Sequence, residues 1–212
     1  MEEEYFLGID LGGKNKKTTG LCLLDQNQKI FLLKEVFGKD VLKNISPYLK
    51  KTKVVAIDAP LTLGRGKGKM RLFEKFLSTS LFRKERVNPL PPALMPQFHN
   101  FARNLVKKLE KRGYVLGLNL IEVFPTLVKK ICKNKLLIKS ALAKTENLES
   151  ALLCAQLSFW HAKFQTRWLG YKDGFLFLPE TSFWKKEWKR KFYQAWKEKN
   201  YLKYRHLATN LF

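Results

Sequence analysis

The chain has 212 residues and a mass of 24.9 kDa, enough for one well-packed core and short for two complete ones. Hydrophobic residues make up 45% and aromatics 13%, which excludes a chain disordered throughout. Charge is the outlier: 41 Lys and Arg face 18 Asp and Glu, a net +23 whose field draws polyanions and makes nucleic acid the expected partner. A thermophilic surface also raises Lys, but it raises Glu beside it, and here Glu does not keep pace. Cys22, Cys132 and Cys154 have no paired spacing and read as reduced, buried small hydrophobes. The acidic start Met1-Glu-Glu-Glu4 is unlike a signal peptide. The longest apolar stretch, near Ala151 to Ala162, holds Gln156 and His161 and is too short to span a bilayer, so a cytoplasmic protein without a membrane partner is expected.

Tyr5 to Asp10 reads as a buried strand, and Gly12, Gly13 and the polar run Lys14 to Thr19 read as a turn. Gly20 to Leu24 and Lys29 to Lys34 give two more strands, completing a three-strand meander. Asp40 to Lys50 has helical spacing at Val41, Leu42, Ile45 and Leu49 and leads into a strand over Val54 to Asp58. The order β-β-β-α-β predicts an α/β fold whose mixed sheet is flanked by helices, with the fourth strand parallel to the first.

After Pro60 the chain turns glycine-rich and basic from Thr62 to Arg71, then helical through Leu72, Phe73, Phe76 and Leu77. The prolines between Asn88 and Pro96 exclude regular structure. Gln97 to Arg112 is an amphipathic helix stopped by Gly113. Leu118 to Pro125 reads as a strand, followed by a short helix through Ile131. Leu148 to Phe164 is a helix apolar on most of its circumference, with Glu146 and Glu149 near its start. From Trp184 to Arg205, nine Lys or Arg stand against two Glu, interleaved with aromatics at helical spacing that fit packing on the domain with a basic face left free. The expected organisation is one domain over 1–180 with a helical insertion around 65–112, and a basic, aromatic helical extension over 181–212.

Ionised carboxylates at the ends of buried strands are costly unless something positive compensates them. Asp10 and Asp58 fall at the carboxyl ends of adjacent parallel strands, where open α/β sheets place their sites. Glu122 ends a third strand and Glu149 projects from the buried helix. Four acids that converge would suit a hard cation, Mg²⁺ or Mn²⁺, bound through carboxylates and phosphate oxygens, and two such ions would support phosphodiester hydrolysis. Each acid also has a plainer role: Asp10 as a turn residue before Gly12-Gly13, Asp58 as a loop-start hydrogen bonder, Glu122 as a salt-bridge partner, Glu149 with Glu146 as first-turn acids favoured by the helix dipole. His99, His161 and His206 share no motif, and no phosphate-loop or nucleophile-elbow signature occurs. Lys14, Arg65, Lys67, Lys69 and Arg71 in the loops, with Lys185, Lys189 and Arg190 in the tail, are the candidate phosphate-backbone contacts, and the Trp and Tyr of the tail could stack on unpaired bases.

Gly8-Ile-Asp10, Val55-Ala-Ile-Asp58-Ala-Pro60, Ile121-Glu122-Val-Phe-Pro125, Glu149 to Ala155 and Asp173 to Pro179 together resemble domain-of-unknown-function family 429, the predicted RNase H-like nucleases. The resemblance spans roughly residues 5 to 180. It implies an RNase H-like fold and a metal-dependent nuclease in which Asp10 bridges two metals, Asp58 and Glu149 each complete one site, and Glu122 is a ligand or orients one. The family more often carries Asp where this chain has Glu149, which is one methylene longer. The opening Gly8-Ile-Asp-Leu-Gly-Gly13 also resembles the phosphate-binding start of sugar kinases in the actin-like ATPase superfamily, but Asp58 precedes Ala-Pro where those enzymes need a second Asp-x-Gly loop. A different class, a non-catalytic nucleic-acid-binding protein on the same fold, shares the charge and differs in metal dependence.

Overall fold

The computed structural model describes residues 3–64, 70–87, 89–198 and 206–211. The meander is present: β1 (Tyr5–Asp10), β2 (Thr19–Asp25) and β3 (Ile30–Val36) pair antiparallel in sequence order. A short helix, α1 (Val41–Ile45), flanked by single turns at Gly38–Asp40 and Leu49–Lys51, carries the chain across to β4 (Thr52–Asp58). The expected continuous helix over residues 40–50 is therefore one turn of α-helix between two tighter ones. β4 runs parallel to β1, and β5 (Leu120–Glu122) runs parallel to β4, giving the order β3-β2-β1-β4-β5. Three parallel strands thus end on one edge of the sheet, with Asp10 beside Asp58 and Ile57 beside Glu122.

The alternation of strand residues assigns the two faces. Tyr5, Leu7, Ile9, Leu21, Leu23, Val55 and Ile57 point to a core shared with Val41 and Ile45 of α1 and with Ala102, Leu105, Val106 and Leu109 of α4 (Pro96–Glu110). Phe6, Cys22 and Leu24 point the other way, onto Ala151, Leu152 and Ala155 of α6 (Glu146–Ala162). Gly8 lies on that second face because a Cβ there would stand 2.1 Å from the Ala151 carbonyl oxygen, so the helix rests directly on the strand.

The insertion between β4 and β5 holds α2 (Leu72–Leu77), α3 (Ser80–Arg83), a turn at Pro92–Leu94 and α4, whose Pro96 occupies the first helical turn. α5 (Pro125–Ile131) follows β5. Beyond α6, β6 (Thr166–Tyr171) and β7 (Gly174–Pro179) form a hairpin whose turn carries Asp173, and Asp173 Oδ2 accepts the Leu72 N–H at 3.0 Å, capping α2. β8 (Ala208–Thr209) adds a third strand on β6. The extension is built into this part of the molecule. Trp184, Trp188, Phe192 and Ala195, the last three on α7 (Lys186–Glu198), share one core cluster with Phe73, Phe76 and Phe82 of α2 and α3. Trp184 also donates its indole N–H to the Pro179 carbonyl at 2.8 Å. The expected packing holds for Trp184, Trp188, Phe192 and Trp196, while Tyr201 and Tyr204 lie outside the described residues, and residues 181–198 complete the core rather than trailing from it. Among the described residues no helix is long and apolar enough to cross a membrane.

Candidate functional site

A cleft of about 360 Å³ opens at the carboxyl ends of β1, β4 and β5. Asp10, Asp58 and Glu122 all line it, as the strand register requires. Their surroundings differ. Glu122 is buried and fully engaged: one carboxylate oxygen, Oε2, accepts the Leu61 N–H at 2.9 Å and the Arg71 Nη1 at 2.5 Å. Arg71 is itself 2% exposed and divides its donors among Glu122, Glu74 at 2.5 and 3.0 Å, and Thr62 at 3.1 Å. Its guanidinium also lies 4.5 Å from the Phe73 ring centre. Burial still holds both glutamates above the usual carboxylate range, with Arg71 opposing it.

Arg71 was expected among the surface contacts to phosphate, and the structure corrects that: it is the internal counter-ion of two buried acids. A guanidinium is the suitable group, since its fork of donors serves two carboxylates at once.

Asp10 and Asp58 have no such partner among the described residues, and no cation figures among the charges acting on them. Burial, and then the nearby Glu35 charge, push the Asp10 carboxyl up to about 7. Burial, then the charges of Asp10 and Glu122, hold Asp58 well above the usual range. Counted over the lining, Asp10, Asp58, Glu74 and Glu122 stand against Arg71 and Arg86, a formal −2 if all are ionised. A protein of +23 thus gathers four acids against two arginines at the end of one set of strands.

Glu149 is not brought to this cleft. The stripe of α6 that faces the sheet runs through Asn147 and Ala151, which crowd Gly20, through Cys154 against the Asp58 backbone, and through Ser158, whose hydroxyl donates to the Val54 carbonyl at 2.6 Å. At ~100° per residue Glu149 lies roughly 200° round from Asn147, on the far side. There its carboxylate accepts from Lys129 Nζ at 2.6 Å, with both side chains about half exposed. It lines a separate hollow with Lys129, Leu152 and Leu153. A helix apolar nearly all round gives no unique inward face in sequence, and that is why the acid could not be aimed correctly.

Lys14 is exposed on the β1–β2 loop and lines a neighbouring groove with Met95 and Phe98, not the cleft itself. Arg65, Lys67 and Lys69 lie outside the described residues. Lys189 and Arg190 are exposed on α7 and Lys185 is half-buried just before it; none of the three lines the cleft. Three groups at the site were not singled out from sequence. Glu35 on β3 accepts from Thr145 Oγ1 at 2.6 Å and Asn147 Nδ2 at 3.0 Å, which holds its pKa down and ties the start of α6 to the sheet. Glu74 was hidden in a basic segment, though its place three residues after Arg71 is a first-turn acid signal. Arg86 stands exposed on the cleft wall, in the left-handed region at φ +55°. His99 lies close by, its Nδ1–H donating to the Pro60 carbonyl at 3.0 Å, and burial lowers its pKa.

Two half-buried carboxylates are hard oxygen donors, and Mg²⁺ is commonly held by one or two carboxylates completed by waters and substrate phosphates. The donor chemistry of Asp10 and Asp58 fits such an ion, whereas Glu122 is already committed. Among the described residues no group of three or more His, Cys, Asp or Glu is arranged to hold a metal. The chain matches no family model, no curated protein and no solved structure.

Proposed function

We propose that the protein is a divalent-metal-dependent phosphodiester hydrolase acting on nucleic acid, on an RNase H-like fold. The meander, helical crossover and parallel fourth strand support that fold, as does the motif-level resemblance to domain-of-unknown-function family 429. One observation carries the activity: two cation-less carboxyls stand in register at the ends of adjacent parallel strands, in an acid-lined cleft of a strongly cationic protein. A phosphodiester drawn to this protein by its overall field would meet these acids at the cleft floor, and a cation between them would favour the ionised carboxylates and neutralise their charge. Asp10 and Asp58 would hold Mg²⁺ or Mn²⁺, which when bound supplies neutralising charge and a water of lowered pKa. Glu122, fixed by Arg71 and the Leu61 N–H, keeps negative potential beside Asp58 and pins the segment that follows it. Arg86 offers a guanidinium to a phosphate at the opening.

The test is cleavage of labelled single-stranded, duplex, hybrid and branched nucleic acids with Mg²⁺ or Mn²⁺ against EDTA, using the native protein and Asp10→Asn. Metal-dependent cutting that disappears in Asp10→Asn is expected. Cutting by Asp10→Asn at the native rate would overturn the assignment. A second reading, a nucleic-acid-binding protein without turnover, is favoured by one fact: with Glu149 turned away and Glu122 engaged, two free carboxylates stand where four were expected. Binding to every substrate without cutting any would select it.

A further inference from the structure

The carboxylate cleft does not end at its acids. Its wall residues Met95 and Phe98 also line a second groove, which runs past Phe101 to Lys14. Phe101 and Lys14 in turn line a third hollow together with Lys39 and Lys108. The three openings are therefore successive neighbours, each sharing wall residues with the next. Residues 98, 101, 105 and 108 are spaced three or four apart, so one stripe of α4 forms the floor over ~15 Å. The far end is held together tightly. Lys39 N–H donates to the Lys14 carbonyl at 2.9 Å, and a Cβ on Gly38 would stand 3.0 Å from both the Lys14 Cα and the Phe101 ring.

The chemistry changes along the path. It begins at Asp10 and Asp58 with Arg86 beside them, crosses two half-buried phenylalanine rings, and ends among three exposed lysines. No Asp or Glu among the described residues lines the second or third opening. Rings set in a groove reach the faces of bases only when the bases are unpaired, and lysines gathered at the end of a groove hold a phosphate backbone. We propose that this path is the seat of an unpaired nucleic-acid strand: bases against Phe98 and Phe101, backbone along Lys14, Lys39 and Lys108, and one phosphodiester delivered to the cleft beside Arg86. At about 3.4 Å per stacked nucleotide the floor accommodates about four. This rests on the proposed hydrolase and adds its substrate class.

The experiment separates the two. Binding of short fluorescent homopyrimidine single strands, DNA and RNA, and of a blunt duplex is measured by anisotropy in EDTA, where no metal-dependent cutting intervenes. Phe98→Leu keeps apolar bulk and removes the ring; it is expected to weaken single-strand binding about tenfold and leave duplex binding alone. The double variant Lys14→Glu/Lys108→Glu is expected to weaken binding at least about tenfold and flatten its salt dependence, whereas the charge-matched Lys107→Glu/Lys111→Glu, at the end of α4 and lining none of the three openings, is expected to do much less. Equal losses from the two double variants, or an unchanged affinity in Phe98→Leu, overturn the path. A native preference for duplex over single strand overturns it as well. Path-dependent binding without cleavage of any substrate would sink the hydrolase and leave the path standing; cleavage with binding indifferent to these variants would do the reverse.

Discussion

Two sets of acids share one sheet edge and live under opposite rules. Glu74 and Glu122 are buried around Arg71, each accepting hydrogen bonds from it. Asp10 and Asp58, on the neighbouring strands, face one another across the parallel ladder with only other carboxylates contributing charge. The first set is solved within the protein; the second is left to be solved by something that arrives. That contrast separates acids that hold the fold from acids poised for chemistry, although all four line the same cleft.

The contrast can be broken hardest at Arg71. Arg71→Met leaves two buried carboxylates without their counter-ion and should cost about 3–5 kcal/mol, a large share of the ~5–15 kcal/mol typical of a folded protein, read by denaturant unfolding. Asp58→Asn removes a charge that has no partner and should leave the metal-free protein as stable as native or more so. If both variants lose stability equally, the two sets are not different in kind.

A smaller effect is expected from the ion itself. Mg²⁺ or Mn²⁺ at a hundred times its dissociation constant should stabilise the native protein by about 2.7 kcal/mol in thermal unfolding, and Asp58→Asn should abolish the gain. pH gives the next test. With its folded pKa raised to about 7, Asp10 binds a proton more tightly folded than unfolded. Its contribution is therefore present at acidic pH and lost as pH rises from the ordinary Asp range through about 7, and Asp58 acts in the same direction. Thermal midpoints of the metal-free protein should fall over that window, and Asp10→Asn should flatten the slope; an unchanged slope would count against an uncompensated Asp10. The smallest effect belongs to Glu149→Gln, which breaks an exposed pair with Lys129 and should cost less than about 1 kcal/mol with cleavage intact. Loss of cleavage there would bring the helix acid back to the centre.

Much of this was legible in the chain. The strand runs ending at Asp10 and Asp58 predicted the parallel pair because apolar runs bounded by glycine and proline are strong local signals. The tail packing was readable from Trp184, Trp188 and Phe192 at intervals of four. What failed was long-range or lacked contrast. Nothing near Arg71 in sequence announces Glu122, which stands 51 positions away. Arg86 is one arginine in a basic stretch, and only its left-handed backbone and its place on the cleft wall distinguish it. The hairpin of β6 and β7 escaped a strand reading because Thr166–Tyr171 lacks clean alternation.

Glu122 has one more consequence. A single oxygen of its carboxylate receives the chain at Leu61 and again at Arg71, so the segment leaving the sheet and the segment entering α2 are fastened at one clasp. Thr62, just inside the clasp, adds a second hold by accepting from Arg71 at 3.1 Å. Lengthening such a span costs little, about 0.6 kcal/mol per doubling, so new residues or a whole reporter peptide inserted beyond Leu63 should leave the acids where they are. The clasp thus marks a place where the chain can be lengthened without rebuilding the cleft floor.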